Sequence, residues 1–219
     1  MRNKAFIFDL NGTMIDDMDF HIRAWHAILT SLGAELSVEQ VKLECYGKNE
    51  ELLERIFPGR FSNEEMQAMI LQKENTYQVE FKPHLRLIGG LESFLQKAYA
   101  ESIPMGIGSA ALPMNINYVL DGLHIRHYFK SIVSAVDVTI SKPHPETFLS
   151  CAKQLGVEPE NCIVFEDSPK GVLAAKTAGM QCVVLTTMHS ADEFEGADNI
   201  LLKVPDYATD AIIRLINME

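Results

Sequence analysis

Short apolar runs, rich in β-branched and aromatic residues, recur along the chain and are separated by helical patterns. The runs are Ala5–Phe8, Met105–Ile107, Ser131–Val133, Cys162–Phe165 and Cys182–Leu185, with a weaker one at Asn199–Leu202. Between and after the later ones, Leu91–Glu101, Met114–Asp121, His144–Leu155, Lys170–Ala178 and Ala208–Asn217 read as amphipathic helices. Buried strands alternating with helices leave few solutions. The chain must form an α/β fold in which a parallel sheet is covered on both faces. Its crossovers should be right-handed.

One stretch breaks the alternation. From Met14 to about Lys82 no convincing strand is found, and Asp19–Leu32, Ser37–Tyr46, Lys48–Phe57 and Asn63–Phe81 read as helices. Ser37 followed by Gln40 has the pattern of a capping box. Gly33, Pro58–Gly59 and Pro83 punctuate the segment. The expected organisation is therefore a core of residues 1–13 and 83–219, with a helical domain of residues 14–82 inserted directly after the first strand. In open α/β sheets ligands bind at the carboxyl ends of the strands. An insertion at that edge can act as a lid, with hinges near Met14–Asp17 and Lys82–His84.

Charge narrows the partners. A formal net charge of −11 argues against nucleic acid or an anionic membrane, since either requires a basic face. A small anion in a locally positive pocket stays compatible. The four cysteines, Cys45, Cys151, Cys162 and Cys182, show no CxxC or metal-type spacing, and Cys162 and Cys182 sit in apolar runs. That pattern reads as a reducing, cytoplasmic setting. The Phe6–Phe8 run ends at Asp9, too short for a secretory signal, and no apolar run reaches the length of a membrane span. A monomer is expected.

Four polar clusters fall at the carboxyl ends of four expected strands: Asp9–Leu10–Asn11–Gly12–Thr13, Gly108–Ser109–Ala110, Ser141–Lys142–Pro143 and Glu166–Asp167–Ser168–Pro169. Together they offer carboxylates, a hydroxyl beside backbone amides, a lysine and an acidic pair. Phosphoryl transfer to an aspartate beside a divalent metal requires such a set. Each cluster also has a plainer reading. Ser109 can cap a turn, Lys142 can be a surface lysine, and Glu166–Asp167 can be helix-start acids. Ser168 is best read as an N-cap with Pro169 at the first helical position.

Taken in order, the clusters resemble the motifs of the haloacid dehalogenase superfamily of phosphohydrolases. Phe20–His21–Ile22–Arg23–Ala24–Trp25 resembles the start of the helical cap in its β-phosphoglucomutase-like branch. The resemblance implies a doubly wound, Rossmann-like parallel sheet with an inserted four-helix cap. It implies Asp9 as nucleophile forming an aspartyl-phosphate, and Mg²⁺ held by Asp9, Asp167 and the backbone carbonyl of Asn11. Glu166 would orient that shell or bind the metal through water. Lys142 would balance the charge of Asp9 and the phosphoryl group. Ser109 and the amide of Ala110 would hold phosphate oxygens. Thr13, His21, Gly47 and Lys48 would complete substrate binding around a small phosphorylated metabolite.

Two positions depart from the family pattern. Phosphatases of the superfamily carry an aspartate where this chain has Asn11, to protonate the leaving group and then activate water. Asparagine has no titratable proton. In the cap loop Tyr46–Glu51, β-phosphoglucomutase uses an arginine just after the glycine to clamp a second phosphate. Here Glu50 stands there, with Lys48 nearby, which opposes a bisphosphate cycle. The expected function is a magnesium-dependent phosphohydrolase weakened in acid–base catalysis. A β-phosphoglucomutase-like phosphotransferase and a non-catalytic phosphometabolite-binding module are the alternatives. His21 is a candidate replacement for the missing acid–base group.

Overall fold

The computed structural model describes residues 4–217. After strand β1 (Ala5–Phe8) come helices α1 (Met18–Ser31), α2 (Val38–Glu44), α3 (Asn49–Ile56) and α4 (Asn63–Phe81). There follow α5 (Leu91–Ala100), β2 (Met105–Gly108), α6 (Pro113–Gly122), β3 (Ser131–Val133), α7 (Glu146–Leu155), β4 (Cys162–Glu166), α8 (Pro169–Thr177), β5 (Gln181–Leu185), β6 (Ile200–Val204) and α9 (Asp210–Asn217). The chain divides into two compact units. One comprises Asp17–Leu85, the other the residues up to Asp16 together with those from Arg86.

The second of these units holds a six-stranded sheet in the order β3-β2-β1-β4-β5-β6. Each neighbouring pair is parallel. This is the doubly wound arrangement expected, and its strand order reverses direction at the junction of β1 and β4. The position of β1 follows from its side chains. Ala5, Phe6, Ile7 and Phe8 are all fully buried, which only an interior strand covered on both faces allows. Phe6 and Phe8 point to one face and join Phe94, Phe165 and Tyr207, with Phe8 stacked on Phe165 at 4.6 Å. Ala5 and Ile7 point to the other, where Phe148, Cys151, Val164 and Cys182 pack. Each ring buried here is worth about 1.5–3 kcal/mol. Cys162 and Cys182 are core residues, as their apolar flanks suggest, and Cys151 joins them.

Helices α7 and α9 each begin two residues later than the apolar pattern suggests. α7 starts at Glu146 and not at His144, because Pro145 disfavours helical backbone at the residue before it. β6 runs two residues past the expected end, as Lys203 and Val204 pair with Val184 and Leu185.

In the Asp17–Leu85 unit the expected capping box is present. Ser37 Oγ accepts from the Gln40 amide while Gln40 Oε1 accepts from the Ser37 amide. Ser62 and Glu65 form a second box at the start of α4. Trp25, Ile28 and Leu29 of α1 are buried, as are Ile70, Tyr77 and Phe81 of α4. So are several polar groups. Lys73 and Glu74 are each 2% exposed. Among the described residues no helix is long and apolar enough to cross a membrane.

Candidate active site

The parallel register brings the motif residues to one edge of the sheet. Phe8 is level with Phe165, so Asp9, just past β1, stands beside Glu166, the last residue of β4. The Asp9 amide donates to the Phe165 carbonyl at 2.9 Å, which carries the ladder one residue past β1. Ser109 follows β2 in the same way, its amide donating to the Val133 carbonyl at 2.9 Å. The strand ends thus set the backbone of the site before any side chain interacts.

Lys142, placed between β3 and α7, is buried and not on the surface. Its Nζ donates to Asp9 Oδ1 at 2.6 Å and to Glu166 Oε1 at 2.8 Å, over the ring of Phe148 at 4.5 Å. Burial works against its charge, but Asp9 and Glu166 outweigh it and hold the ammonium above its ordinary pKa. Lys142 is therefore a fixed cation.

Glu166 has a full set of donors. Besides Lys142 on Oε1, its Oε2 accepts from the amides of Asp167 and Ser168 at 2.8 and 2.7 Å and from Ser168 Oγ at 3.0 Å. The carboxylate lies across the start of α8, where orphan amides favour an anion. The helix-start reading and the lysine-holding role are thus both true of this residue. A side chain at Gly171 would overlap the Glu166 carboxylate. Glycine at 171 is what admits the acid. Ser168 caps α8, accepting from the Gly171 amide at 3.1 Å with Pro169 in the first turn.

Asp167 is 4% exposed and accepts from Thr13 Oγ1 at 3.3 Å. Burial first, then the charges of Glu166 and Asp9, push its carboxyl well above the ordinary range. Oxygens of Asp9, Glu166 and Asp167 lie within 4.8 Å of one another. One ammonium faces three buried carboxylates, so the cluster carries surplus negative charge. An oxygen-seeking divalent cation such as Mg²⁺ fits this donor set.

The remaining assigned residues fall as follows. Asn11 and Thr13 lie on the turn after Asp9, half-buried and fully buried respectively. Ser109 is 1% exposed and its Oγ accepts from the Ala111 amide at 3.1 Å, with Ala110 half-buried between them. That bond closes a turn, while the helix cap proper is Leu112. Gly47, Lys48 and His21 belong to the Asp17–Leu85 unit. Gly47 takes a left-handed backbone with φ +75°. Lys48 is the N-cap residue of α3, its amide donating to Glu51 Oε2 at 2.9 Å. Glu50 Oε1 accepts from Gln67 Nε2 at 2.7 Å. His21 is stacked on Tyr77 at 3.8 Å, with Nε2 3.3 Å from Asp17 Oδ2 and Nδ1 2.6 Å from Lys73 Nζ.

Sequence reasoning missed two hydroxyls beside the Asp9 turn. Thr187 Oγ1 donates to the Gly12 carbonyl at 2.5 Å and Tyr207 Oη to the Thr13 carbonyl at 3.1 Å. Their acceptors are main-chain atoms, so no pairing of residue types signals them.

Residues 6–185 match the haloacid dehalogenase-like hydrolase family. The chain belongs to that family. It is 30% identical over 193 residues to the fructose-1-phosphate phosphatase of Escherichia coli (strain K12), covering 83% of this chain and 96% of that protein. It is 29% identical over 217 residues to the β-phosphoglucomutase of Bacillus subtilis (strain 168), covering 95% and 93%. Among solved structures, the β-phosphoglucomutase of Clostridium difficile superposes with a TM-score of 0.84 at 29% identity, over 97% of this chain and 96% of that one. Family, fold and branch are those that the motifs suggest.

Proposed function

We propose that this hydrolase removes phosphate from a small phosphorylated metabolite, with Asp9 as the phosphoryl acceptor. The observation that carries the reading is the ion pair between Lys142 and Asp9 at 2.6 Å beside Glu166 and Asp167. A structural ion pair needs one carboxylate. Three buried ones around a single lysine suit a site that neutralises incoming phosphate through added positive charge. The likeness to the fructose-1-phosphate phosphatase supports the same chemistry.

Asp9 attacks phosphorus through the oxygen not committed to Lys142, forming an acyl phosphate as the bond from phosphorus to the leaving oxygen breaks. The departing alkoxide takes its proton from water, and a second water then attacks the acyl phosphate to release phosphate and free Asp9. Lys142 orients Asp9 through its 2.6 Å contact, and Glu166 keeps Lys142 in place. Ser109 Oγ and the Ala110 amide hold phosphate oxygens. Asp9, Asp167 and the main-chain carbonyl of Asn11 would hold Mg²⁺, and Glu166, whose oxygens are already engaged, orients that shell. Bound there, Mg²⁺ supplies charge neutralisation at the phosphate oxygens.

Asn11 sets the character of the enzyme. Its main chain serves as well as that of an aspartate, but its side chain moves no proton. Lost acid–base help costs about 10²–10⁴ in rate, or roughly 3–5.5 kcal/mol of barrier. The loss falls hardest on poor leaving groups, since an alkoxide needs a proton and a phenolate does not. The test is a series of aryl and alkyl phosphates assayed with wild type and Asn11→Asp in Mg²⁺. Wild type should show the steeper dependence on leaving-group pKa, with a gain in the variant of about 10²-fold or more on alkyl phosphates. Parallel slopes would refute the role given to Asn11. No turnover of any activated phosphate by either protein would refute phosphatase activity itself.

A further inference from the structure

The turn that carries Asn11 contains a glycine, and the structure shows what holds it. Gly12 has φ +70°, a conformation that glycine enters at no steric cost and can as readily leave. Such a residue cannot by itself fix the carbonyl before it or the side chain after it. Around it, however, successive carbonyls are taken. Gly12 O accepts from Thr187 Oγ1 at 2.5 Å, Thr13 O from Tyr207 Oη at 3.1 Å and Met14 O from the Ile88 amide at 2.9 Å.

The two hydroxyls come from rigid ground. Thr187 lies just past β5, and its neighbour Thr186 donates its amide to Val204 of β6 at 2.9 Å. β5 is separated from β1 by β4, so Thr187 reaches past one strand to hold the turn on the next. Tyr207 is 1% exposed within the aromatic cluster. Its amide donates to the Gly89 carbonyl at 2.8 Å, and its backbone presses so closely on Gly90 that a Cβ there would meet it at 2.6 Å.

We infer that Thr187 is a positioning residue for the Asp9 turn. By fixing the Gly12 carbonyl it aims the Asn11 carbonyl toward the cation that Asp9 and Asp167 would hold. It also keeps Thr13 Oγ1 on Asp167, the bond of 3.3 Å that ties the turn to β4. Tyr207 supports the next peptide in the same way. The inference rests on the magnesium reading proposed above and adds a residue to it. Without that bond the φ and ψ of Gly12 could relax, disturbing the Asn11–Gly12 peptide on one side and the Thr13–Asp167 bond on the other, so the Thr187 hydroxyl bears on two contacts around the cation.

The experiment is Mg²⁺ binding by calorimetry to wild type, Thr187→Val, Thr187→Ser and Tyr207→Phe, after stripping with EDTA. Thr187→Val keeps the branched shape and removes the donor. It should weaken Mg²⁺ about 10-fold, within the range for residues that orient metal ligands. Thr187→Ser should bind within about 3-fold of wild type, and Tyr207→Phe should fall between them. Melting without metal checks that the variants are folded. If Thr187→Val does not fold, Thr187→Ala takes its place with the same expected loss of about 10-fold, and an affinity equal to that of wild type overturns the proposal. Equal affinity in Thr187→Val and wild type also overturns it, as does a serine variant as weak as the valine. Asp167→Asn separates the two readings. If it loses Mg²⁺ while Thr187→Val does not, only the Thr187 role fails. If wild type binds no Mg²⁺, both fail.

Discussion

Replacing Lys142 with methionine tests the electrostatics on which the site depends. Methionine keeps the apolar stem over Phe148 and removes the ammonium. In wild type that ammonium contacts Asp9 at 2.6 Å and Glu166 at 2.8 Å, with Asp167 also buried. At an effective dielectric of about 20 each contact is worth roughly 6 kcal/mol before desolvation is subtracted. Removing one partner of a buried pair typically costs about 3–5 kcal/mol. A second estimate limits the cost, because a stranded carboxylate can take up a proton. At about 1.4 kcal/mol per pH unit above an ordinary pKa near 3.9, this escape costs roughly 4 kcal/mol at pH 7 and roughly 1.5 at pH 5. The expected destabilisation is therefore about 3–4 kcal/mol at pH 7, shrinking to about half or less at pH 5. The sign in wild type agrees. The native pKa of Lys142 is raised, so its contribution is fully present below its unfolded value near 10.4 and is constant from pH 5 to 8. The assay is urea unfolding followed by circular dichroism in EDTA. Lys153→Met, exposed on α7, is the control and should stay within about 0.5 kcal/mol of wild type. A penalty below about 1 kcal/mol at pH 7, or one equal at both pH values, would refute the reasoning.

Two further expectations concern buried groups elsewhere. Gly171→Ala should destabilise by about 1–3 kcal/mol through its clash with Glu166, against the gain of about 1 kcal/mol that alanine usually brings to a helix. It should also lower turnover by shifting the acid that holds Lys142, and a more stable variant in urea unfolding would show that Glu166 has room to move. In the helical unit, burial lowers the pKa of Lys73 below 10.5, with Glu74 opposing. Between that lowered value and 10.5 the unfolded chain binds more protons. Stability should then rise with pH by up to about 1.4 kcal/mol per unit in that window. Lys73→Met should lack the slope. Unfolding free energies at pH 8, 9 and 10 that differ by a constant between the two proteins would contradict this.

Much of the site was legible because its chemistry is local in sequence. Asp9, Ser109 and Glu166–Asp167 each follow an apolar run directly, and a buried parallel strand announces itself by composition alone. Once those runs are strands of one sheet, their carboxyl ends must share an edge. The Ser37–Gln40 capping box and the Ser168–Pro169 start of α8 were legible for the same reason, since their partners lie three residues apart. The polar interior of the helical unit was not. His21 looked like a candidate acid–base group, while its contacts with Lys73, 52 residues away, and with Tyr77 are invisible in any periodic pattern.

The sequence by itself determined the strands, the helical insertion, the acid proposed as nucleophile with its acidic neighbours, and the amide that stands at Asn11. Tertiary structure decided how those groups are held. It placed Glu166 across the start of α8 because Gly171 leaves space, and so made that acid a support for Lys142. It also brought Thr187 and Tyr207, 175 and 194 residues from their acceptors, onto the turn beside Asp9. The physical reason is the nature of the partners. Strand and cap signals come from side-chain types at fixed spacing, whereas a hydroxyl on a distant main-chain carbonyl leaves no trace in residue type. Only the folded sheet, by setting β5 and β6 beyond β4, brings such pairs within hydrogen-bonding distance.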